Sequence, residues 1–242
     1  MRRPLITAHT GCENTRPNSI QSVLEGINAG AEIIEVDIRS TKDGVPVLFH
    51  DETVETVIGK KRIHELTFEE LGYSATDKEI VRLEEVLPII RENHRIINLD
   101  LKEENAIEPM IQTVERYYMR DQSIISGCEK DRAFYLKERY RPYQVLLNAS
   151  ANQLRKSAGY DELFIKETCN DAIAASCCGI NINYQYCKEE LVEYALFRCL
   201  SVLVWTVDDP EPMKKFLNLN VQSITTHEVK TLYDLRESGE WL

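Results

Sequence analysis

The sequence predicts an α/β fold, a single TIM-type (β/α)8 barrel, on three observations. Its 242 residues lie close to the ~250 typical of one such barrel. Apolar runs of four to seven residues alternate with amphipathic stretches of ten to fifteen, as βα units on a parallel sheet require. With 43% hydrophobic residues and no repeat, low-complexity tract or Gly/Ser linker, one domain over residues 1–242 is expected.

In chain order, PLITAH gives a strand at 4–9 and a helix is expected at 18–29. IIEVDI forms a strand at 33–38, and VPVLFH at 45–50 follows too closely for a crossover helix, which needs about a dozen residues. The 45–50 run is therefore either an irregular extension or part of a hairpin-like excursion. Thr67, with Glu70 three residues on, carries a helix-start signal, and a helix is expected at 82–93. Strands at 96–101, 123–127, 144–148, 180–183, 201–206 and 221–225 then alternate with helices at 105–119, 129–140, 151–157, 166–176, 188–198 and 210–219. Asp209 before Pro210 marks the start of the last of these helices. Nine strand candidates compete for eight barrel places. The alternative, a doubly wound open sheet, lacks a GxGxxG loop after the first strand.

A net charge of -11, from 40 acidic and 29 basic residues, argues against binding to nucleic acid or an anionic membrane and points to a small-molecule partner. Seven cysteines, odd in number and with no CxxC pair, read as reduced thiols. The opening MRRPLITAH has no apolar signal region, and no run approaches the ~18 apolar residues of a membrane helix. A cytoplasmic protein without stable membrane insertion is expected. No hydrophobic stripe marks an interface, so the sequence leaves the oligomeric state open.

Parallel strands are covered on both faces and should be apolar, yet IIEVDI carries Glu35 and Asp37, and IINLDLK carries Asp100 and Lys102. The two-residue period puts each pair on one side of its strand. Three carboxylates converging in a barrel interior call for a cation, and oxygen-only ligands suit Mg²⁺ or Ca²⁺ rather than zinc. The competing reading is a closed ion network with Lys102 and Arg39, although one lysine among three acids leaves negative charge over. His9 ends the first strand and His50 ends VPVLFH, at the C-terminal strand ends where a barrel carries its catalytic groups. Two imidazoles beside such a cluster can serve as acid and base.

These residues resemble the glycerophosphodiester phosphodiesterase family along nearly the whole chain. The family's HRG and Glu-Asn-Thr stretches correspond to His9-Thr10-Gly11 and Pro17-Asn18-Ser19, and its ExD to Glu35-Val36-Asp37. Thr41-Lys42-Asp43-Gly44, His50-Asp51, Asp100-Leu101-Lys102 and Trp205-Thr206-Val207 follow in the family's order. The resemblance implies a barrel of the phospholipase-C-like phosphodiesterase type. In it Glu35, Asp37 and Asp100 hold a divalent metal, His9 and His50 act as acid and base in an order left open, and Lys102 steadies the phosphate. The implied reaction is metal-dependent hydrolysis of glycerophosphodiesters to sn-glycerol 3-phosphate and an alcohol. A lyase-like diesterase giving a cyclic phosphate and a non-catalytic binding derivative are the alternatives.

The chain departs from the family at several places. Thr10 replaces the arginine that grips phosphate, and a hydroxyl cannot form that bidentate charged pair. Arg16 is a candidate substitute in the same loop, as Glu13 is for the acid that Pro17 replaces. Asp100 stands for the usual glutamate, Asp208 for an asparagine, and Ser223-Ile224-Thr225-Thr226-His227 for a Gly-Ile-x-Thr-Asp motif. Trp205 is either core filling or an apolar wall for the substrate. His227, after the last strand, is a further candidate for the mouth.

Overall fold

The computed structural model describes residues 3–57, 59–74, 80–149 and 162–239. In chain order the elements are β1 (Leu5–Ala8), α1 (Ile20–Asn28), β2 (Ile33–Ser40), β3 (Pro46–Leu48), β4 (Thr53–Thr56), β5 (Gly59–Arg62), α2 (Phe68–Ser74), α3 (Leu83–Glu92), β6 (Ile96–Leu101) and α4 (Ile107–Arg116). They continue with β7 (Ser123–Cys128), α5 (Lys130–Arg139), β8 (Gln144–Asn148), α6 (Glu162–Ala174), β9 (Gly179–Asn183), α7 (Glu189–Phe197), β10 (Ser201–Trp205), α8 (Pro210–Asn218), β11 (Ser223–Thr226) and α9 (Val229–Ser238).

Eight strands pair in parallel in the order β1-β2-β6-β7-β8-β9-β10-β11, and β11 returns to β1, which closes the barrel. The ninth candidate is explained by β3, which lies antiparallel on the end of β2 with Ile38 opposite Leu48 and Ser40 opposite Pro46. The connecting turn is held by the Thr41 hydroxyl, which donates to the Asp43 carboxylate at 2.6 Å, while Gly44 takes a φ of 77°. A second hairpin, β4 with β5, was not expected, because its exposed GKKR arm has no apolar alternation. Helix α9 was likewise not among the expected elements. The expected helix at 151–157 lies outside the described residues. Among the described residues no helix is long and apolar enough to cross a membrane.

The helix layer fixes which way each strand faces. A Cβ added at Gly26 of α1 would meet the Ala8 Cβ at 2.7 Å and the Ile34 Cδ1 at 3.2 Å, so α1 lies flush on β1 and β2. Ile34, Val36 and Ile38 therefore face helices in the main core, and Glu35 and Asp37, on the alternate positions, face the lumen. Gly26→Ala should lower stability by about 1–3 kcal/mol through overpacking despite its gain in helix propensity. Denaturant unfolding checks this, and an unchanged or raised midpoint contradicts the flush packing.

Candidate active site

The carboxylate cluster follows from strand register. Asp37 on β2 is paired with Asp100 on β6, and Glu35 precedes Asp37 by two on the same face. Oxygens of Glu35, Asp37 and Asp100 all lie within 4.8 Å of one another, and Glu35 and Asp37 are 6% and 1% exposed. Lys102 Nζ lies 2.8 Å from Asp37 Oδ1 and also bonds Asp100 Oδ2. Burial alone would lower the Lys102 pKa, but Asp100 and Asp37 outweigh it and raise it. Burial, then the charges of Asp37 and Asp100, pushes Glu35 well above the usual carboxylate range. One ammonium among three carboxylates thus leaves the cluster rich in negative charge.

Arg39 does not join that network. Its Nε and Nη2 donate to the His50 carbonyl at 3.0 and 2.9 Å, and its Nη1 donates to Glu103 at 3.0 Å. It therefore ties the His50 loop to β2.

Neighbouring polar groups orient the acids. Asn18 Nδ2 donates to Asp37 Oδ2 at 2.7 Å, and its Oδ1 accepts the Asp37 N–H at 3.1 Å. Asn18 reaches both atoms from a left-handed backbone, with φ of 57°. The Ser126 hydroxyl donates to Asp100 at 2.7 Å, and the Thr10 N–H donates to Glu35 at 3.0 Å.

His9 lies with its Nδ1 3.0 Å from the Thr10 carbonyl and 4.0 Å from Glu35. A carbonyl only accepts, so Nδ1 carries the proton of the neutral ring and Nε2 keeps its lone pair. Burial lowers the His9 pKa, the Thr10 carbonyl opposes this, and His227 adds to the lowering. The His227 ring lies 4.4 Å from the His9 ring at 56° and is anchored by Asp208, 2.9 Å from its Nδ1. Burial would raise the Asp208 pKa, but hydrogen bonds from the His227 ring and backbone hold it below its ordinary value. The His50 side chain is 66% exposed, with Nδ1 2.8 Å from Asp51 Oδ1.

A cleft of about 1020 Å³ opens at this end of the barrel and is lined by His9, Glu35, His50, Asp100, Lys102 and Trp205, among others. The three remaining positions singled out in the first loop lie elsewhere. Thr10 is buried, and its hydroxyl accepts the Asn18 N–H inside the loop. Arg16 is exposed, and neither it nor Thr10 is among the cleft-lining residues. Glu13 accepts the Lys230 N–H at 2.9 Å, at the start of α9. The sequence reading gave no role to Asn18, nor to Asn98, Asn148 and Asn181, which also line the cleft. Asn98 carried a signal, being two residues before Asp100 on the same face of β6.

The model of the glycerophosphoryl diester phosphodiesterase family matches residues 9–231. A glycerophosphodiester phosphodiesterase of Caldanaerobacter subterraneus is 25% identical over 259 aligned residues, covering 98% of this chain and 99% of that protein. Human glycerophosphodiester phosphodiesterase 1 is 41% identical over 66 residues, 26% of this chain and 20% of that protein. Among solved structures, glycerophosphodiester phosphodiesterase from Thermotoga maritima superposes with a TM-score of 0.78 at 23% identity, covering 97% of this chain and all (100%) of that one. An Oleispira antarctica phosphodiesterase in complex with the product sn-glycerol-3-phosphate gives 0.81 at 19% identity, covering 97% of each chain. Fold, ordered motifs and the match over residues 9–231 agree, and the chain belongs to the glycerophosphoryl diester phosphodiesterase family of phosphoric diester hydrolases.

Proposed function

We propose that this chain hydrolyses glycerophosphodiesters to sn-glycerol 3-phosphate and an alcohol, with His9 as base and His50 as acid beside a divalent cation held by Glu35, Asp37 and Asp100. The observation that carries this reading is the convergence of three carboxylate oxygens within 4.8 Å at the mouth lined by both histidines.

The donor set fits a hard cation, since all three ligands are oxygens and the cluster holds more negative charge than Lys102 balances. Mg²⁺ and Ca²⁺ both suit it. When bound, such a cation polarises the phosphoryl oxygens and acidifies the attacking oxygen.

The chain's own groups divide the proton transfers. His9 presents a neutral Nε2, because its Nδ1–H is held by the Thr10 carbonyl and burial disfavours its charged form. It takes the proton from the attacking water. His50, oriented by Asp51 through Nδ1 and by Arg39 through its carbonyl, gives a proton to the leaving alkoxide. Lys102 offers its ammonium to the phosphate from the edge of the cluster. Trp205 provides an apolar wall beside the alcohol.

All seven cysteines are unpaired, which fits a reducing compartment, and we assign the chain to the cytoplasm as one catalytic domain over residues 1–242.

The test is hydrolysis of glycerophosphodiesters by purified protein with Mg²⁺, Ca²⁺ or EDTA, followed by phosphorus NMR. Release of glycerol 3-phosphate that EDTA abolishes is expected. A cyclic phosphate product would instead identify the substrate's own 2-hydroxyl as the attacking group. Absence of turnover on any head group would favour a binding protein.

A further inference from the structure

A phosphodiester is an anion, and a mouth lined with carboxylates repels it unless cations face it too. Besides the two histidines, the cations that line the cleft are Lys102, Lys130 and Arg132. Lys102 is engaged by Asp37 and Asp100, and Lys130 Nζ lies 2.7 Å from Asp171. Of the three, Arg132 alone pairs with no carboxylate among the described residues.

Arg132 is half-buried and is the third residue of α5. Its Nη1 donates to the Leu101 carbonyl at 2.9 Å and to the Gly127 carbonyl at 2.7 Å. Both acceptors are neutral, so the guanidinium keeps an unbalanced positive charge in a partly desolvated place. Its Nε and Nη2 bond no other described residue and, unlike Asn98 Oδ1 and Trp205 Nε1, are not sealed from solvent. That edge of a guanidinium is a fork that fits two phosphate oxygens.

The two anchors set this fork beside the carboxylate cluster. Leu101 directly follows Asp100, and Gly127 directly follows Ser126, whose hydroxyl bonds Asp100. Gly127 takes a φ of 73°, and a Cβ there would stand 2.5 Å from the Leu101 carbonyl and 3.0 Å from Asp100 Oδ1. The ends of β6 and β7 are thus pressed together where Arg132 holds them. Around the barrel the order runs β1-β2-β6-β7, so the Thr10 loop flanks the cluster on the β1 side and Arg132 flanks it on the β7 side. A phosphate over Glu35, Asp37 and Asp100 is open to a guanidinium from either side. Thr10 has no charge to give and turns its hydroxyl to the Asn18 N–H, and Arg16 stands outside the cleft.

We propose that Arg132 is the phosphate-gripping arginine of this chain, reaching the substrate from the β7 side in place of the arginine that position 10 lacks. This rests on the hydrolase reading above. Its carbonyl bonds alone would make Arg132 a tie between α5 and the strand ends, so the test must separate holding phosphate from holding the fold.

Arg132→Gln keeps an amide donor for the carbonyls and removes the charge, whereas Arg132→Lys keeps the charge and loses the fork. Binding of sn-glycerol 3-phosphate and of inorganic phosphate is measured calorimetrically in Mg²⁺. Alongside are measured kcat/KM on a glycerophosphodiester and thermal unfolding of the ligand-free proteins. In Arg132→Gln both phosphates should bind about tenfold to a hundredfold more weakly, as expected on losing a hydrogen bond to a charged group. The value of kcat/KM should fall by a similar factor, with the unfolding temperature close to that of wild type. Arg132→Lys should lie between Arg132→Gln and wild type.

An Arg132→Gln protein that unfolds earlier yet binds both phosphates as wild type does overturns the proposal and leaves Arg132 a structural tie. A loss confined to glycerol 3-phosphate also overturns it, since Arg132 would then hold the glycerol, as does wild-type protein that binds neither phosphate. Wild-type protein that turns over no diester, while Arg132→Gln still weakens both phosphates, overturns the hydrolase reading and leaves the phosphate site standing.

Discussion

His9→Ala is expected to lower kcat on a glycerophosphodiester by about two to four orders of magnitude, the usual contribution of a positioned general base. The geometry makes this specific. His9 has one nitrogen committed to the Thr10 carbonyl at 3.0 Å, so the free nitrogen is an acceptor in the neutral ring. Burial favours that neutral form. KM should change little, because an uncharged imidazole adds little to ground-state affinity for a phosphodiester. His50→Ala should cost a similar factor, and the double variant should be scarcely worse than either single one, as expected of two groups that act in one transition state. Steady-state kinetics on the three variants, with unfolding curves to confirm that each is folded, would check this. A His9→Ala enzyme with nearly full kcat refutes the assignment of the base.

Much of this arrangement is legible in the sequence because it depends on local periodicity. Glu35 and Asp37 interrupt an apolar strand with period two, which announces both a buried strand and its inward face. All eight barrel strands are announced by apolar runs. The β4–β5 hairpin is not, since a short exposed ribbon has no core face to imprint a pattern. Helix α9 is a different case. Val229, Leu232 and Arg236 are buried at helical spacing, but one of the three is an arginine, which interrupts the apolar stripe. It is buried because its guanidinium pairs with Glu32, 2.8 Å from Nη2.

The site divides along the same line. Candidates that end a strand or interrupt one were visible, whereas contacts made by barrel closure were not. The His9–His227 ring contact exists because β1 pairs with β11, where Thr7 and Ser223 also share a hydrogen bond at 2.7 Å. Nothing local to either segment encodes that pairing. The clamp of Asn18 on Asp37 likewise needs the loop after β1 to fold back over β2, and Glu13, Asn14 and Asn18 all take left-handed backbone within it. Thr10 shows the converse. A residue flagged by its motif position turns its hydroxyl to the Asn18 N–H and its own N–H to Glu35.

Lys102→Met is expected to destabilise the metal-free protein by about 3–5 kcal/mol, the loss typical when one partner of a buried ion pair is removed. Its ammonium lies 2.8 Å from Asp37 and also bonds Asp100, and its side chain is only 19% exposed. Without it three carboxylates face one another with no internal counter-ion. If the cluster is a cation site, added Mg²⁺ or Ca²⁺ should recover much of that loss, about 2.7 kcal/mol at a hundred times Kd. Asp100→Asn is the complementary variant, since it keeps the shape but removes one charge. It should blunt the stabilisation by divalent ions while leaving the metal-free protein less affected than Lys102→Met does. Unfolding curves with and without cation would separate the two readings of the cluster. A divalent effect in wild type that Asp100→Asn blunts identifies a metal site. Stability indifferent to divalent ions in all three proteins identifies a closed ion network around Lys102, in which the carboxylates serve the fold rather than the reaction.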